Sequence, residues 1–310
     1  MCKIIKNGII IKDYGHGVIE LTENENKLAT SCEVLIPTED RKSLEEIERS
    51  IIKRYRKHIW TKFVKAIREY ELIQDGDRIA VAISGGKDSL LMAKLFQELQ
   101  RHGNASFELE FIAMDPGYHP DIKELLIENC KYLNIPIHIF ESGIFEITNR
   151  IAKDYPCYMC ARMRRGALYG KAQELGCNKL ALGHHFNDVI ETTLLNLLCS
   201  GNFKTMLPKL KSRNYEGIEL IRPLYLIEEE YIKRFIQYSG IWPLNCACMV
   251  AAKKIGSKRA EIKELIEELK KNFTNVDISI FRAAQNVNMN GILGWEKDGE
   301  KHSFLDFYDE

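Results

Sequence analysis

The run Ser84-Gly85-Gly86-Lys87-Asp88-Ser89 stands between an apolar stretch, Ile79-Ala80-Val81-Ala82-Ile83, and the helix-like Leu90-Leu91-Met92-Ala93-Lys94-Leu95-Phe96. A buried strand followed by glycine-rich backbone and a helix start is a phosphate-binding arrangement. Two adjacent glycines let the chain turn sharply and approach an anion. The N–H groups of the first helical turn, at the positive end of its dipole, supply the attraction. Lys87 adds a full charge. The run is not a Walker A loop, which has a glycine five positions before the Gly-Lys pair and Ser or Thr directly after the lysine; here position 81 is Val and position 88 is Asp. A carboxylate in a phosphate cradle repels its ligand unless it binds Mg²⁺ or orients a neighbouring hydroxyl, so Asp88 points to a different nucleotide geometry. The loop alone leaves open a plain strand-to-helix turn with Asp or Ser as N-cap.

From residue 75 onward the pattern alternates strand and helix, with strands expected at 79–83, 107–114, 135–140 and 179–182. That alternation predicts an α/β fold, a parallel sheet flanked by helices with ligands at the carboxyl ends of its strands. Asp115-Pro116-Gly117 follows the second strand and Gly183-His184-His185 the fourth. Before this region, residues 1–40 place short apolar runs between turn residues and read as a small β appendage. Residues 41–74 form a helical connection, with one long helix expected over 44–72 from Leu44, Ile47, Ile51, Tyr55, Phe63, Ile67 and Tyr70. Residues 75–250 read as one domain, and 251–310 as a helical C-terminal segment and tail.

The chain has 310 residues, with 44 basic against 44 acidic, so no global field draws in nucleic acid. Local clustering can: Arg49, Lys53, Arg54, Arg56, Lys57, Lys62, Lys65 and Arg68 crowd one stretch, either a solvated helix face or an RNA-contacting one. No run approaches the roughly 18 uninterrupted apolar residues of a membrane span, and the N-terminus lacks a signal-peptide core. The expectation is a cytoplasmic protein with no membrane partner. There, nine cysteines are not a disulfide framework.

Cys157-Tyr158-Met159-Cys160 opens a helical stretch rich in arginine, Ala161-Arg162-Met163-Arg164-Arg165-Gly166, and far along the chain stands Cys246-Ala247-Cys248. Cysteines three apart on a helix can reach one metal centre, and nearby cations lower their pKa. Two readings follow. All four sulfurs close a structural site, or the first pair with one of Cys246 and Cys248 leaves a metal position open for chemistry; zinc and iron–sulfur clusters both use such thiolates. Cys2, Cys32, Cys130, Cys177 and Cys199 read as ordinary, partly buried small residues.

Together these stretches resemble the PP-loop ATP pyrophosphatase superfamily, and within it the tRNA 2-thiocytidine synthetase family. The Ser84–Ser89 run is similar to the superfamily signature. Cys157 to Gly166 resembles the CxxCxRxRRG segment, and Leu182-Gly183-His184-His185-Phe186-Asn187-Asp188-Val189-Ile190-Glu191-Thr192 the LGHHxxDxxET stretch. Leu207-Pro208-Lys209-Leu210 and Ile221-Arg222-Pro223-Leu224 match further blocks, so the resemblance spans roughly residues 50 to 270. The chain departs where the family usually has Arg-Asp, here Phe186-Asn187, which removes a charge pair beside the expected nucleotide or RNA. It departs again at Asn245-Cys246-Ala247-Cys248, where the family has one cysteine in an Asn-Leu-Cys-Gly setting.

The resemblance implies ATP cleavage between the α and β phosphates, an adenylated base carbonyl and its displacement by sulfur, giving 2-thiocytidine in tRNA. It assigns Lys87 and the backbone of Gly85 and Gly86 to phosphates, and Ser84 and Ser89 as hydroxyl donors. Asp88 and Asp188 would bind Mg²⁺, Met114 and Asp115 would border adenosine, and Gly183 and His184 would line the reacting end. Cys157, Cys160 and Cys248, with Cys246 as the alternative third ligand, would hold a 4Fe-4S cluster. Arg164 and Arg165 would guide RNA phosphate or the adenylate. The partners that the resemblance implies are tRNA, a sulfur donor such as a cysteine desulfurase, and a second copy in a homodimer. The rival enzyme reading is another PP-loop sulfurtransferase or ligase with a different base or a small molecule; lysidine-forming relatives have no need of the cysteines. The rival non-enzyme reading is a metal-bearing RNA-binding protein with residual nucleotide binding.

Overall fold

The computed structural model describes residues 2–5, 9–13, 18–20, 40–103, 105–118, 120–142, 156–244 and 258–308. At the N-terminus β1 (Cys2–Ile5), β2 (Ile9–Asp13) and β3 (Val18–Glu20) form an antiparallel three-stranded sheet, the expected β appendage. The helical region follows in pieces. Ser43 caps α1 (Leu44–Ile52) through a reciprocal capping box with Glu46. A π-helical turn, Arg56–Trp60, leads into α2 (Thr61–Glu69).

The single helix expected over 44–72 is therefore wrong in one respect, and the burial pattern shows why. Ile47, Ile51, Tyr55, Ile59 and Phe63 are all buried and recur every four residues. On an ideal α-helix a strict four-residue repeat drifts by about 40° per step. The wider turn, with Tyr55 N–H donating to Ser50 O at 2.9 Å, returns the stripe to the core face.

The main sheet has the strand order β6-β5-β4-β7-β9-β8, where β4 is Arg78–Ala82, β5 Glu108–Asp115, β6 Ile137–Glu141, β7 Lys179–Ala181, β8 Lys209–Lys211 and β9 Glu219–Ile221. All neighbours pair in parallel except β8 against β9. The two edge-side strands β8 and β9 were not anticipated: β8, Lys-Leu-Lys, has no apolar run of its own, and β9 enters the motif block that ends at Leu224 only through Ile221. Between strands run α3 (Lys87–His102), α4 (Pro120–Tyr132), α5 (Pro156–Glu174) and α6 (Phe186–Ser200), and α7 (Glu229–Ser239) follows β9.

One buried cluster joins Ile47, Ile51 and Phe63 to Ile79, Val81, Leu91, Phe96, Ile190 and Phe235, so the helical connection packs into the same core as the sheet. A smaller cluster on the other sheet face unites Ala80, Ile112 and Leu180 with Tyr169 and Ala172 of α5. The C-terminal region carries α8 (Lys258–Asn272) and α9 (Val276–Ala283), then an unexpected hairpin, β10 (Gly294–Lys297) and β11 (Glu300–Ser303). Among the described residues no helix is long and apolar enough to cross a membrane.

The topology places the site. From β4 the chain builds outward through β5 and β6, then returns to lay β7 on the other side of β4. The loops leaving β4 and β7 diverge there, opening a crevice at the carboxyl edge, where open α/β sheets take ligands.

Candidate active site

The loop leaving β4 is shaped by its glycines and by Ser89. Gly85 has φ +77°, a left-handed conformation that favours glycine, and a Cβ there would fall 2.5 Å from Leu244 Cδ1. Gly86 caps α3 with no side-chain hydrogen bond, leaving the cradle to backbone donors. Ser89 Oγ donates to Gly86 O at 2.9 Å and accepts from Ser84 N–H at 3.2 Å, while Ser84 Oγ accepts from Gly86 N–H at 3.3 Å. Both serines therefore brace the loop itself.

From the loop leaving β7, Gly183 presses on the start of α3: a Cβ would lie 3.3 Å from Asp88 Cβ. His184 is half-buried, with Nδ1 buried and without a hydrogen-bond partner. Burial pushes its pKa down to about 4, so the imidazole is neutral near pH 7. His185 is buried and caps α6: its Nδ1 accepts from Asp188 N–H, and the Asp188 carboxylate accepts His185 N–H at 2.9 Å.

Lys87 joins these loops to α7. Its Nζ lies 2.9 Å from Asp88 Oδ2 and 3.1 Å from Glu229 Oε1. Burial opposes the ammonium charge, but the two carboxylates outweigh it and raise the Lys87 pKa. Glu229 is likewise desolvated, yet Lys87 and Lys263, the latter at 2.9 Å, hold it well below the usual carboxylate range. Asp88 also faces His185 Nε2 at 3.8 Å.

A second cation comes from α8. Arg259 lies 3.7 Å from Asp188, 3.4 Å from Glu191 and donates to Thr192 Oγ1 at 3.0 Å. Burial disfavours the Asp188 charge, but the His185 and His184 imidazoles and Arg259 lower its pKa overall. Glu191 shifts upward, from burial first and then the Asp188 charge. Glu229, Arg259 and Lys263 were not anticipated from sequence, because their signal is charge on helix faces far from the motifs.

Several anticipated residues take other roles. Asp115 lies at the carboxyl end of β5, but its carboxylate is engaged by Gly117 N–H at 2.9 Å, Tyr118 N–H at 2.8 Å and Lys123 Nζ at 2.9 Å. Met114 packs with Phe140 and Met163 in a small cluster beside it. Phe186 does not stand beside the nucleotide: it is buried against Phe281 of α9, with ring centroids 5.0 Å apart. Asn187 Oδ1 accepts Glu229 N–H at 2.9 Å, seating α7. In this chain these two positions therefore pack α9 and seat α7.

Cys157 and Cys160 fall within the first five positions of α5, a helix that meets β5 at its carboxyl end through Met163 and Met114. Cys246 and Cys248 lie outside the described residues. The stretch that holds them is anchored on both sides, however: Leu244 N–H donates to Gly85 O at 2.9 Å, and α8 begins at Lys258 and contributes Arg259 to Asp188. The remaining cysteines differ. Cys130 and Cys177 are buried, which pushes their thiols up to about 12 and about 11, while Cys199 is exposed rather than partly buried.

The PP-loop domain family matches residues 55–242. The tRNA-cytidine(32) 2-sulfurtransferase of Pelobacter propionicus is 38% identical over 238 residues, covering 76% of this chain and 87% of that protein. Its namesake from Geobacter metallireducens is 36% identical over 247 residues, covering 79% and 95%. Among solved structures, the U34-tRNA thiolase NcsA from Methanococcus maripaludis with its 4Fe-4S cluster shares the fold. It has a TM-score of 0.60 and 24% identity, covering 76% of this chain and 80% of that one.

Proposed function

Because the chain belongs to the PP-loop family of tRNA-cytidine 2-sulfurtransferases, we propose that it converts a cytidine of tRNA to 2-thiocytidine at the expense of ATP. The observation that carries this reading is the pairing of Leu244 N–H with Gly85 O. It ties the stretch bearing Cys246 and Cys248 to the loop that binds phosphate. Chain length alone keeps Cys248 within about 14 Å of Leu244.

ATP enters with its phosphates on the loop. The backbone N–H groups at the start of α3 and the Lys87 ammonium receive them, and Lys87 leaves Glu229 to do so. Asp88 and Asp188 are the carboxylates placed to take Mg²⁺, which neutralises the departing pyrophosphate. The cytosine C2 oxygen attacks the α-phosphorus, pyrophosphate leaves, and the base carries AMP where it carried a carbonyl oxygen. Neutral His184 would line the reacting end without adding a charge there. A sulfur nucleophile then adds at C2, and AMP leaves with the oxygen.

Three thiolates from Cys157, Cys160 and Cys248 make a soft donor set that fits three irons of a 4Fe-4S cluster, with Cys246 the alternative third ligand. Bound there, such a cluster would present donor-derived sulfur as the nucleophile. The chain's own part would be to bring those thiolates to the adenylate. Sulfur reaches the protein from a donor such as a cysteine desulfurase.

Anaerobic purification followed by iron and acid-labile sulfide analysis, with tRNA-dependent release of AMP and pyrophosphate, tests the pairing of the two half-sites. Iron with sulfide and coupled AMP release supports it. One zinc per chain without sulfide rejects the open-centre reading.

A further inference from the structure

Away from the nucleotide loop, the π-helical turn and α7 enclose an open groove of about 410 Å³, lined by Arg54, Tyr55, His58, Tyr231, Arg234 and Tyr238. Its walls are rings and guanidinium planes. His58 stacks on Tyr231 with centroids 3.9 Å apart and planes 13° apart. The Arg54 guanidinium lies 4.3 Å from the Tyr238 ring centroid, and that of Arg234 lies 5.6 Å from Tyr231's. Tyr55 is fixed by its hydroxyl, which donates to Arg234 O at 3.0 Å. Behind the groove Ile51, Ile59, Ile232 and Phe235 are buried in the main core, so the platform is rigid.

The charge around it is positive. Glu230 holds Arg234, but Arg54, Arg56 and Lys57 have no carboxylate partner among the described residues. In a chain with no net charge, these free cations gather beside stacked rings. Single-stranded RNA is recognised by that combination, bases lying on aromatic or guanidinium planes while cations track the backbone. A protein partner would ask instead for a buried apolar anchor pocket, and no Leu, Ile, Met or Phe lines this groove.

We propose that the groove is a docking platform for a single-stranded segment of the RNA substrate. Arg54 and His58 take base faces, and Arg56 and Lys57 take phosphates. The proposal rests on the tRNA-modifying function proposed above and adds where the RNA lies. Helix α7 links the two places: its first residue, Glu229, pairs with Lys87, and Tyr238 of the groove lies nine residues on. At 1.5 Å per residue that is about 14 Å. A nucleotide in the crevice and another in the groove can therefore belong to one RNA loop.

The test measures binding of an unmodified tRNA anticodon stem-loop to the full chain across a salt series, with ATP binding and thermal melting in parallel. Arg54→Ala and His58→Ala are each expected to weaken RNA binding about tenfold. Arg56→Ala, which removes a cation placed on phosphate, should flatten the slope of log K against log salt by about 0.7 to 0.9, the loss of one phosphate contact. Arg54→Lys should keep the slope and lose part of the affinity. ATP binding should stay at the wild-type value in all four variants, with melting lowered by no more than the loss of one ring or cation–ring contact.

Variants that bind RNA like the wild type overturn the platform, including the case in which the groove takes a protein, and leave tRNA thiolation standing. A wild-type protein that binds RNA through the groove but forms no 2-thiocytidine overturns the function and keeps the platform. A wild-type protein that binds no tRNA overturns both.

Discussion

Glu229 Oε1 lies 3.1 Å from Lys87 Nζ, so the first residue of α7 holds the lysine of the phosphate loop from across the crevice. With Asp88 on its other side, Lys87 sits in a carboxylate clamp that a triphosphate must replace.

Glu229→Gln removes the competing charge while keeping hydrogen-bonding capacity. ATP affinity should rise severalfold, whereas the unliganded protein should lose about 1–3 kcal/mol because Lys87 and Lys263 keep less compensation in a largely buried setting. Isothermal titration and denaturant melts read the two effects. The Glu229 pKa is depressed, so the clamp's stabilisation is present above the ordinary carboxylate pKa and is lost as pH falls toward the folded value. The variant should therefore show a shallower loss of stability in acid.

Gly85→Ala adds a Cβ 2.5 Å from Leu244 Cδ1 at a position with φ +77°. The backbone strain alone costs about 1–3 kcal/mol. Adding Leu244→Ala should relieve the contacts with Leu244 but neither the strain nor the 2.9 Å approach to Leu126 Cδ1, so the double variant should regain at most part of the lost stability and remain below wild type. Thermal unfolding of the three proteins reads this directly.

His184 is pushed down to about 4 by burial, so between its folded value and the unfolded value near 6.5 the unfolded chain binds more protons. Stability should fall as pH drops through that window, on the order of 1–3 kcal/mol, and His184→Gln should remove that component. Activity should show no inflection from this residue between pH 6 and 8 (about the assay range in which it stays neutral). Denaturant midpoints and a pH–rate profile check both statements.

Arg259 is about half exposed, and its ion pairs with Asp188 and Glu191 should contribute less than about 1 kcal/mol to stability. Its place beside Asp188, the carboxylate proposed to take Mg²⁺, matters more for turnover. Arg259→Ala should lower AMP release about tenfold at nearly unchanged melting temperature, and Arg259→Lys should restore only part, since a point charge cannot reach all three partners. An unchanged rate would remove α8 from the active site.

The nucleotide half of the site was legible because glycines, Lys87 and Asp88 are consecutive and their chemistry is local. The same holds for the four parallel strands anticipated, whose apolar runs are continuous. What escaped depends on distance in sequence. Glu229 reaches Lys87 only because Asn187 seats α7 beside the loop, and nothing in the local pattern announces that. Ile47, Ile51, Tyr55, Ile59 and Phe63 carry a four-residue repeat too long for one straight helix, and the expectation of a single helix over 44–72 overlooked it. Phe186 read as a missing charge when considered beside its motif neighbours, and proves to be core packing against Phe281.

Nucleoside analysis of tRNA from a strain lacking this protein, complemented in turn with the wild-type chain, Lys87→Ala and Cys160→Ala, tests the central claim most directly. The account predicts that 2-thiocytidine disappears on deletion, returns with the wild type and fails to return with either variant, while purified Cys160→Ala still binds ATP. A 2-thiocytidine level that deletion leaves unchanged would contradict it.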